Sequence, residues 1–345
     1  MTKRDSTIIK GIAILMMLFL HLFNEQLLEF HPELQRMPYQ PLFCIGSHPL
    51  EYIMTRFCRP VPFFFILSGY GISCLHSEGR LTLRAQLRRL LSIFTAYWMT
   101  LLVFVSLGHY LGYENYPGSL SNLIANISSY SNSYNLAMWF LFPYTLICLS
   151  APAIIKLMEY RKSYLTGLIV TGLIYGATGY MISRYISEIG YQSLTGHLLQ
   201  YLQYIFPFTC GVVMHKTQIL QHQKLKMLDN NKALTILLLL IVIALKSLMD
   251  SQALDTLYAL AFIILLLKSG VHRYIGNILL FLGKYSMVMW MVHMYLSHYF
   301  FTDFIYGFRY SPVIFLVLVL CSLTISIAIT QTNVYINKKI NELTR

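Results

Sequence analysis

Residues 313–329 read VIFLVLVLCSLTISIAI, a run without one charged side chain. Residues 233–245, ALTILLLLIVIAL, form a second such run. A helix that crosses the hydrocarbon core of a bilayer needs about 20 mostly apolar residues. The strands of a membrane barrel are instead short and alternate between apolar and polar positions. The long uninterrupted runs therefore indicate helices that span a membrane.

The composition of the whole chain agrees with these runs. Its 345 residues are 56% hydrophobic and 12% charged, whereas a soluble domain carries about 25% charged residues. The net charge of +12 sits in short clusters between apolar segments, which argues against a nucleic-acid partner. The chain is predicted to be an all-α, polytopic membrane helix bundle, with the lipid bilayer as its surroundings.

Ten segments are predicted to span the membrane. They lie near 7–26, 58–76, 91–112, 136–157, 164–183, 198–215, 233–250, 253–270, 277–298 and 311–332. The first follows Lys3 and Arg4 and lacks a small-residue cleavage site, so we expect it to remain as a span. With both termini in the cytoplasm, most of the 26 lysines and arginines fall on the cytoplasmic side, as the positive-inside rule requires. We expect one membrane-embedded domain over residues 1–345.

His21 is an ionisable group deep inside the first predicted span. It lies eleven residues after Lys10, which on a helix is roughly 16 Å above the inner interface. Glu25 follows at i+4, on the same helix face, where a carboxylate could orient the imidazole of a general base. The alternative is that the span ends near His21 and that both residues are merely interfacial. The pattern predicts a catalytic role for His21 and Glu25.

His293 lies at a similar depth in the ninth span. It follows Lys284 by nine residues, which is roughly 14 Å along a helix that also rises from the inside. Two imidazoles at matching depth predict one shared cavity. The alternative is a histidine that only forms a hydrogen bond with a neighbouring helix.

Ser68 lies near mid-membrane in the second span, within the stretch VPFFFILSGY at 61–70. A serine followed by glycine in a span often marks close helix packing. There are two other interpretations. The Ser68 hydroxyl could form a hydrogen bond with a ligand, or it could be a nucleophile with His21 as its base.

A basic cluster lies in the first cytoplasmic loop, where Arg84 and Arg88 are four residues apart and Arg89 follows. One interpretation is a clamp for the phosphates of a cytosolic ligand such as coenzyme A. The other interpretation is that the arginines only set the membrane topology and bind anionic lipid headgroups. No metal-binding or nucleotide-binding motif is present in the sequence, so we expect no metal site and no permanently bound cofactor.

Five sequence elements, taken in order, resemble the acyltransferase 3 family of integral membrane acyltransferases. They are Lys10 through His21, PFFFILSGY at 62–70, RRLL at 88–91 followed by Tyr97 and Trp98, WFL at 139–141, and LGKYS at 282–286 running to His293. The resemblance covers essentially the whole chain. Many members have arginine where this chain has Lys10, and lysine keeps the charge but loses the planar fork.

The resemblance implies transfer of an acyl group, usually acetyl, from cytosolic acyl-CoA to a hydroxyl of a cell-surface or lipid-linked glycan. His21 is the implied catalytic histidine. Roles in binding substrate or acyl-CoA are expected for Lys10, Ser68, Arg84, Arg88, Arg89, Trp139 and His293. The short loops and the lack of an organelle signal in the sequence favour the bacterial cytoplasmic membrane as its location.

Three other functions stay open at this stage. A transporter or flippase for a glycolipid or small solute would also explain the spans and buried histidines, and it should show repeat symmetry or broken helices. A non-catalytic relative would agree with lysine at position 10. A member of the other large group of membrane acyltransferases would not explain the Phe-Phe-x-x-Ser-Gly element.

Overall fold

The computed structural model describes residues 1–31, 34, 36–160 and 163–343, which are mostly helical. The helices are α1 Lys3–Phe23, α2 Glu25–Phe30, α3 Leu50–Thr55, α4 Val61–Ser77, α5 Leu83–Tyr110, α6 Leu120–Ile127, α7 Leu141–Tyr160, α8 Tyr164–Ile189, α9 Leu194–Lys216, α10 Lys226–Asn230, α11 Lys232–Leu248, α12 Asp255–Ser269, α13 Gly276–Met294, α14 Thr302–Tyr306 and α15 Ser311–Leu343. Strands β1 Cys44–Ile45 and β2 His48–Pro49 form a small antiparallel hairpin. A 3-10 turn at Leu136–Phe140 leads into α7, and a π turn at Tyr295–Tyr299 extends α13.

Each of the ten predicted spans overlaps a helix. Within the described residues, seven helical segments are long and apolar enough to cross a membrane: Lys3–Phe23, Leu83–Tyr110, Leu136–Tyr160, Tyr164–Ile189, Gln252–Ser269, Gly276–Tyr299 and Ser311–Ile340. The other three predicted spans correspond to α4, α9 and α11. Helices α4 and α11 have 17 residues each, or about 25 Å of helix. The chain is an integral, multi-pass, all-α membrane protein; the cytoplasmic placement of both termini stays a prediction.

The chain separates into two compact units. Unit one comprises Met1–Lys10, Arg59–Leu90 and Phe140–Leu279, and unit two comprises Gly11–Cys58, Leu91–Trp139 and Leu280–Arg345. Each unit is assembled from three separate chain segments, so neither corresponds to a continuous stretch of sequence. A single functional domain over residues 1–345 stays a prediction.

In unit one, helices α4 and α9 approach each other at two glycines. A Cβ atom added at Gly69 would lie 2.0 Å from the carbonyl oxygen of Phe208, and one added at Gly211 would lie 2.0 Å from that of Ile66. Real carbon atoms do not approach an oxygen so closely. Small residues at such crossings let two helix backbones pack directly in a membrane. Gly69 is therefore a packing residue, which agrees with one interpretation of the Ser-Gly pair.

In unit two, the segment 36–56 is attached to the start of α15. The backbone N–H of Gln40 donates to the carbonyl of Arg309 at 2.7 Å, and the N–H of Ser311 donates to the carbonyl of Gln40 at 3.1 Å. The carboxylate of Glu51 accepts hydrogen bonds from the Leu42 N–H at 2.8 Å and from the Ser311 hydroxyl. These bonds hold the segment in a defined position.

Candidate active site

Helix α1 ends at Phe23, two residues beyond His21. Asn24 follows in an extended conformation, and its side-chain oxygen accepts a hydrogen bond from the Gln26 N–H at 3.2 Å. Asn24 is thus the N-cap of α2, a position that favours asparagine. Glu25 begins this new helix, so the predicted i+4 pairing of Glu25 with His21 is wrong.

The group that contacts His21 is His293. Its Nε2 lies 3.0 Å from His21 Nδ1, and the ring centroids are 4.8 Å apart. His293 is fully buried, and His21 is half-buried. The two histidines expected at matching depth are thus in direct hydrogen-bond contact between two helices, while a shared substrate cavity stays a prediction.

The hydrogen bonds determine where the protons of this pair lie. His293 Nδ1 is 2.7 Å from the Trp290 carbonyl, and His21 Nδ1 is 3.0 Å from the Met17 carbonyl. A carbonyl oxygen only accepts, so each Nδ1 carries a hydrogen. His21 Nδ1–H can then also donate to His293 Nε2, which must carry a lone pair. Nε2 of His21 has no partner among the described residues, and it is the nitrogen of the pair that can exchange a proton.

The end of α13 holds His293 rigidly. The Ser297 hydroxyl donates to the His293 carbonyl at 3.0 Å, and the Asn135 amide donates to the Met291 carbonyl at 2.9 Å. The Trp290 indole N–H donates to the Ala137 carbonyl at 3.0 Å. Since these bonds use side chains of different segments of unit two, they fix the backbone that carries His293.

His298 is a further buried histidine, close to His293 in the chain. It lies in the π turn, 2% exposed, with Nδ1 2.7 Å from the Ser297 hydroxyl oxygen. Because that hydroxyl already donates its hydrogen to His293, His298 Nδ1–H donates to it. Nε2 of His298 is buried and has no hydrogen-bond partner in the described part of the chain. No sequence signal distinguished it, because a π turn has no recognisable residue pattern.

Ser68 and Arg89 meet in unit one, together with Tyr144. One guanidinium nitrogen of Arg89 donates to the Tyr144 hydroxyl at 2.7 Å and to Ser68 Oγ at 3.2 Å, and the two hydroxyl oxygens are 3.2 Å apart. Ser68 is 6% exposed. The serine hydroxyl is thus an acceptor for a cation. Tyr144 lies just beyond the Trp-Phe-Leu element, and nothing in the sequence indicated that it would take part.

The three arginines of the predicted clamp do not share one face of α5. Arg84 and Arg88 are exposed, whereas Arg89 is half-buried and forms hydrogen bonds within unit one. Successive helix residues differ by about 100° in direction, so Arg89 faces away from Arg88. The structure shows an exposed pair and a separate inner arginine, and the binding of acyl-CoA by the three stays a prediction.

Two further predicted residues have clear positions. Lys10 is half-buried in α1, close enough to Arg89 for the two positive charges to repel. Trp139 is half-buried in the 3-10 turn that precedes α7 and belongs to unit two. In the part of the chain that the structure describes, no group of three or more His, Cys, Asp or Glu could hold a metal ion.

Comparison with known protein families matches residues 5–331 to the model of an acyltransferase domain of the acyltransferase 3 type. No curated protein and no solved structure matches the chain. The match covers nearly all of the sequence, including both histidines of the pair and the Ser68–Arg89–Tyr144 cluster. The chain therefore belongs to the acyltransferase 3 family of integral membrane acyltransferases.

Proposed function

We propose that this membrane acyltransferase moves an acetyl group from cytosolic acetyl-CoA to a hydroxyl of a cell-surface or lipid-linked glycan, in a bacterial cytoplasmic membrane. The observation that carries the proposal is the His21–His293 pair, in which hydrogen bonds occupy both Nδ1 atoms and leave His21 Nε2 for proton transfer. A histidine with one nitrogen oriented and the other free is the usual general base for an acceptor hydroxyl.

The chemistry balances without an additional reactant. Nε2 of His21 takes the proton of the acceptor hydroxyl as its oxygen attacks the thioester carbonyl, so that a C–O bond forms. The C–S bond of acetyl-CoA then breaks, and the leaving thiolate takes the proton back from His21. His293 accepts the Nδ1–H hydrogen bond of His21 throughout, which keeps the ring oriented and stabilises its charged form.

Two half-buried cations, Lys10 and Arg89, support an anionic donor such as acyl-CoA. Lys10 and Arg89 repel each other, and neither forms an ion pair with a residue that the structure describes. A phosphate between them would relieve this repulsion. The exposed Arg84 and Arg88 extend the positive charge of α5 toward its first turn, where a nucleotide phosphate could bind.

The exposed and inner arginines are expected to behave differently when replaced. The double variant Arg84→Ala/Arg88→Ala should keep its stability within about 0.5 kcal/mol, as exposed sites do, and should raise the KM for acyl-CoA. Arg89→Ala should lose about 1.5–3 kcal/mol of stability, because two hydroxyls lose a charged donor. Measuring both thermal unfolding in detergent and the KM for acyl-CoA distinguishes a binding role from a structural role. Equal stability losses in both variants would contradict the assignment.

The main competing function is a transporter or flippase of a glycolipid or small solute, and CoA-dependent labelling tests it. Membranes with wild-type protein, His21→Ala or the control His109→Ala receive radiolabelled acetyl-CoA and the host's surface glycans. His109 is exposed near the end of α5. We expect label in glycan with wild-type and His109→Ala, and none with His21→Ala. Substrate movement across the membrane without CoA, and no label, would favour the transporter.

A further inference from the structure

An open cleft of about 340 Å³ lies in unit two beside the start of α2. It is lined by Glu25, Arg36, Met37, Pro38, Tyr39, Pro41 and Pro49. Six of these residues come from one stretch of chain, and Glu25 comes from the first turn of α2. Small-molecule sites range from about 300 to 1,000 Å³, so this cleft has room for one sugar ring rather than for a long chain.

The cleft is close to His21. Tyr306 interacts electrostatically with both Arg36 and Tyr39 of the cleft wall, and its hydroxyl donates to the carbonyl of Leu22 at 3.1 Å. His298 interacts electrostatically with both Arg36 and His21. The ring of Tyr39 also packs against that of Phe23, with centroids 5.1 Å apart, so the wall of the cleft contacts the end of the helix that carries His21.

Arg36 and Tyr39 present buried polar atoms without partners on this wall. The guanidinium of Arg36 lies 5.6 Å from the centroid of the Tyr39 ring, a cation–π contact that positions it. One terminal nitrogen of Arg36 and the hydroxyl of Tyr39 are buried without a hydrogen-bond partner among the residues that the structure describes. Burial raises the pKa of Tyr39 to about 12, so its hydroxyl stays protonated and can donate. Unsatisfied buried donors are costly, and a bound ligand could satisfy them.

We propose that this cleft is the acceptor subsite and that it selects a sugar ring carrying an anionic group, a carboxylate or a phosphate. The proposal rests on the proposed glycan acetyltransferase function. The planar guanidinium group of Arg36 suits the bidentate binding of either anion. The ionised carboxylate of Glu25 can only accept hydrogen bonds, so it suits the hydroxyl groups of the sugar ring. Opposite charges in one small cleft orient the sugar, with its anion toward Arg36 and its hydroxyls toward Glu25.

The test is equilibrium binding of single sugars to the detergent-purified full-length protein, measured by calorimetry or ligand-observed NMR. The probes are glucuronate, glucose 6-phosphate and glucose. We expect at least one anionic sugar to bind at least tenfold more tightly than glucose, and added salt to weaken it. Comparing glucuronate with glucose 6-phosphate shows whether carboxylate or phosphate is preferred. Arg36→Gln should abolish the preference.

Arg56→Gln is the matched control. Arg56 is also half-buried in the 36–56 segment and lies 5.5 Å from a tyrosine ring, that of Tyr52, but it does not line the cleft. This variant should keep the preference for the anionic sugar. Equal binding of all three probes, no binding of any probe, or an unchanged preference in Arg36→Gln would overturn the proposal.

Binding needs neither acetyl-CoA nor His21, so the two proposals can fail separately. If His21→Ala keeps acetyl transfer while Arg36→Gln loses anion binding, the cleft assignment stands and the catalytic one fails. If His21→Ala abolishes transfer and anionic sugars do not bind better than glucose, the acceptor class is wrong and the acetyltransferase function stands.

Discussion

The His21→Gln protein is expected to transfer acetyl groups about 10²–10⁴ times more slowly than wild type, the usual contribution of a positioned general base. Glutamine has an amide N–H that can still donate to the Met17 carbonyl, which accepts from His21 at 3.0 Å. It has no group that takes up a proton near neutral pH. The variant therefore removes the proposed chemistry while keeping a polar side chain at the end of α1. The rate is measured as acetyl-CoA-dependent labelling under saturating donor.

Variants of His293 test the same general-base role through the hydrogen bond that His293 accepts from His21. His293→Gln keeps an oxygen that can accept from His21 Nδ1–H, whereas His293→Leu cannot. We expect transfer rates to fall from wild type to His293→Gln to His293→Leu, with His21→Gln the slowest. His109→Gln serves as the control for loss of a histidine. Wild-type rates in His293→Leu would show that the pair does not orient His21, and an active His21→Gln would remove His21 as the base.

The variants Gly69→Ala and Gly211→Ala are expected to show the largest losses of stability. Each added methyl group would meet a backbone carbonyl oxygen at 2.0 Å, and a backbone cannot move aside as a flexible side chain can. Overpacking costs about 1–3 kcal/mol and occasionally more, and here helices α4 and α9 must separate. Thermal unfolding in detergent should show a clear decrease for each variant.

Gly71→Ala is the matched control for this experiment. Gly71 lies two residues from Gly69 on α4, and a Cβ atom there has no neighbour within 4 Å. Because alanine favours a helix over glycine by about 1 kcal/mol, this variant should be as stable as wild type or more so. A stable Gly69→Ala protein would mean that α4 and α9 are farther apart than the structure shows.

The helices could be predicted from the sequence because a membrane imposes a simple rule on them. The bilayer core contains no water that could form hydrogen bonds with exposed backbone groups. Apolar runs such as 313–329 must therefore be helical there. Predicted boundaries were less accurate, because the polar end of a helix depends on local capping. The first span was expected to reach residue 26, and Asn24 ends it at Phe23 by capping the next helix.

The candidate site was predictable where helix geometry alone decides position. Counting from Lys10 and Lys284 placed His21 and His293 at one depth, and the structure joins them. The same geometry gave a wrong result for Glu25, because the i+4 pairing assumes that α1 continues past residue 25. For the arginines, the i,i+4 spacing correctly grouped Arg84 with Arg88 as an exposed pair, and it carried no information about the inward direction of Arg89.

Other parts of the site depend on contacts that the sequence does not encode locally. Tyr144 reaches Arg89 from another helix, at a separation of 55 residues. Arg36 lies in a segment without a regular period, so no pattern indicated which way its side chain would turn. A charged residue in such a loop is ordinarily solvated, and its buried nitrogen becomes visible only in three dimensions.

The attachment of Gln40 to Arg309 and Ser311 has an evolutionary consequence. Both bonds use main-chain groups, which every residue except proline can supply. The side chains around Gln40 can therefore mutate while the segment stays docked, and the histidine pair on α1 and α13 is untouched by such drift. With the acceptor subsite placed as proposed above, changes in residues 36–49 would alter acceptor choice and leave the proposed catalytic pair unchanged.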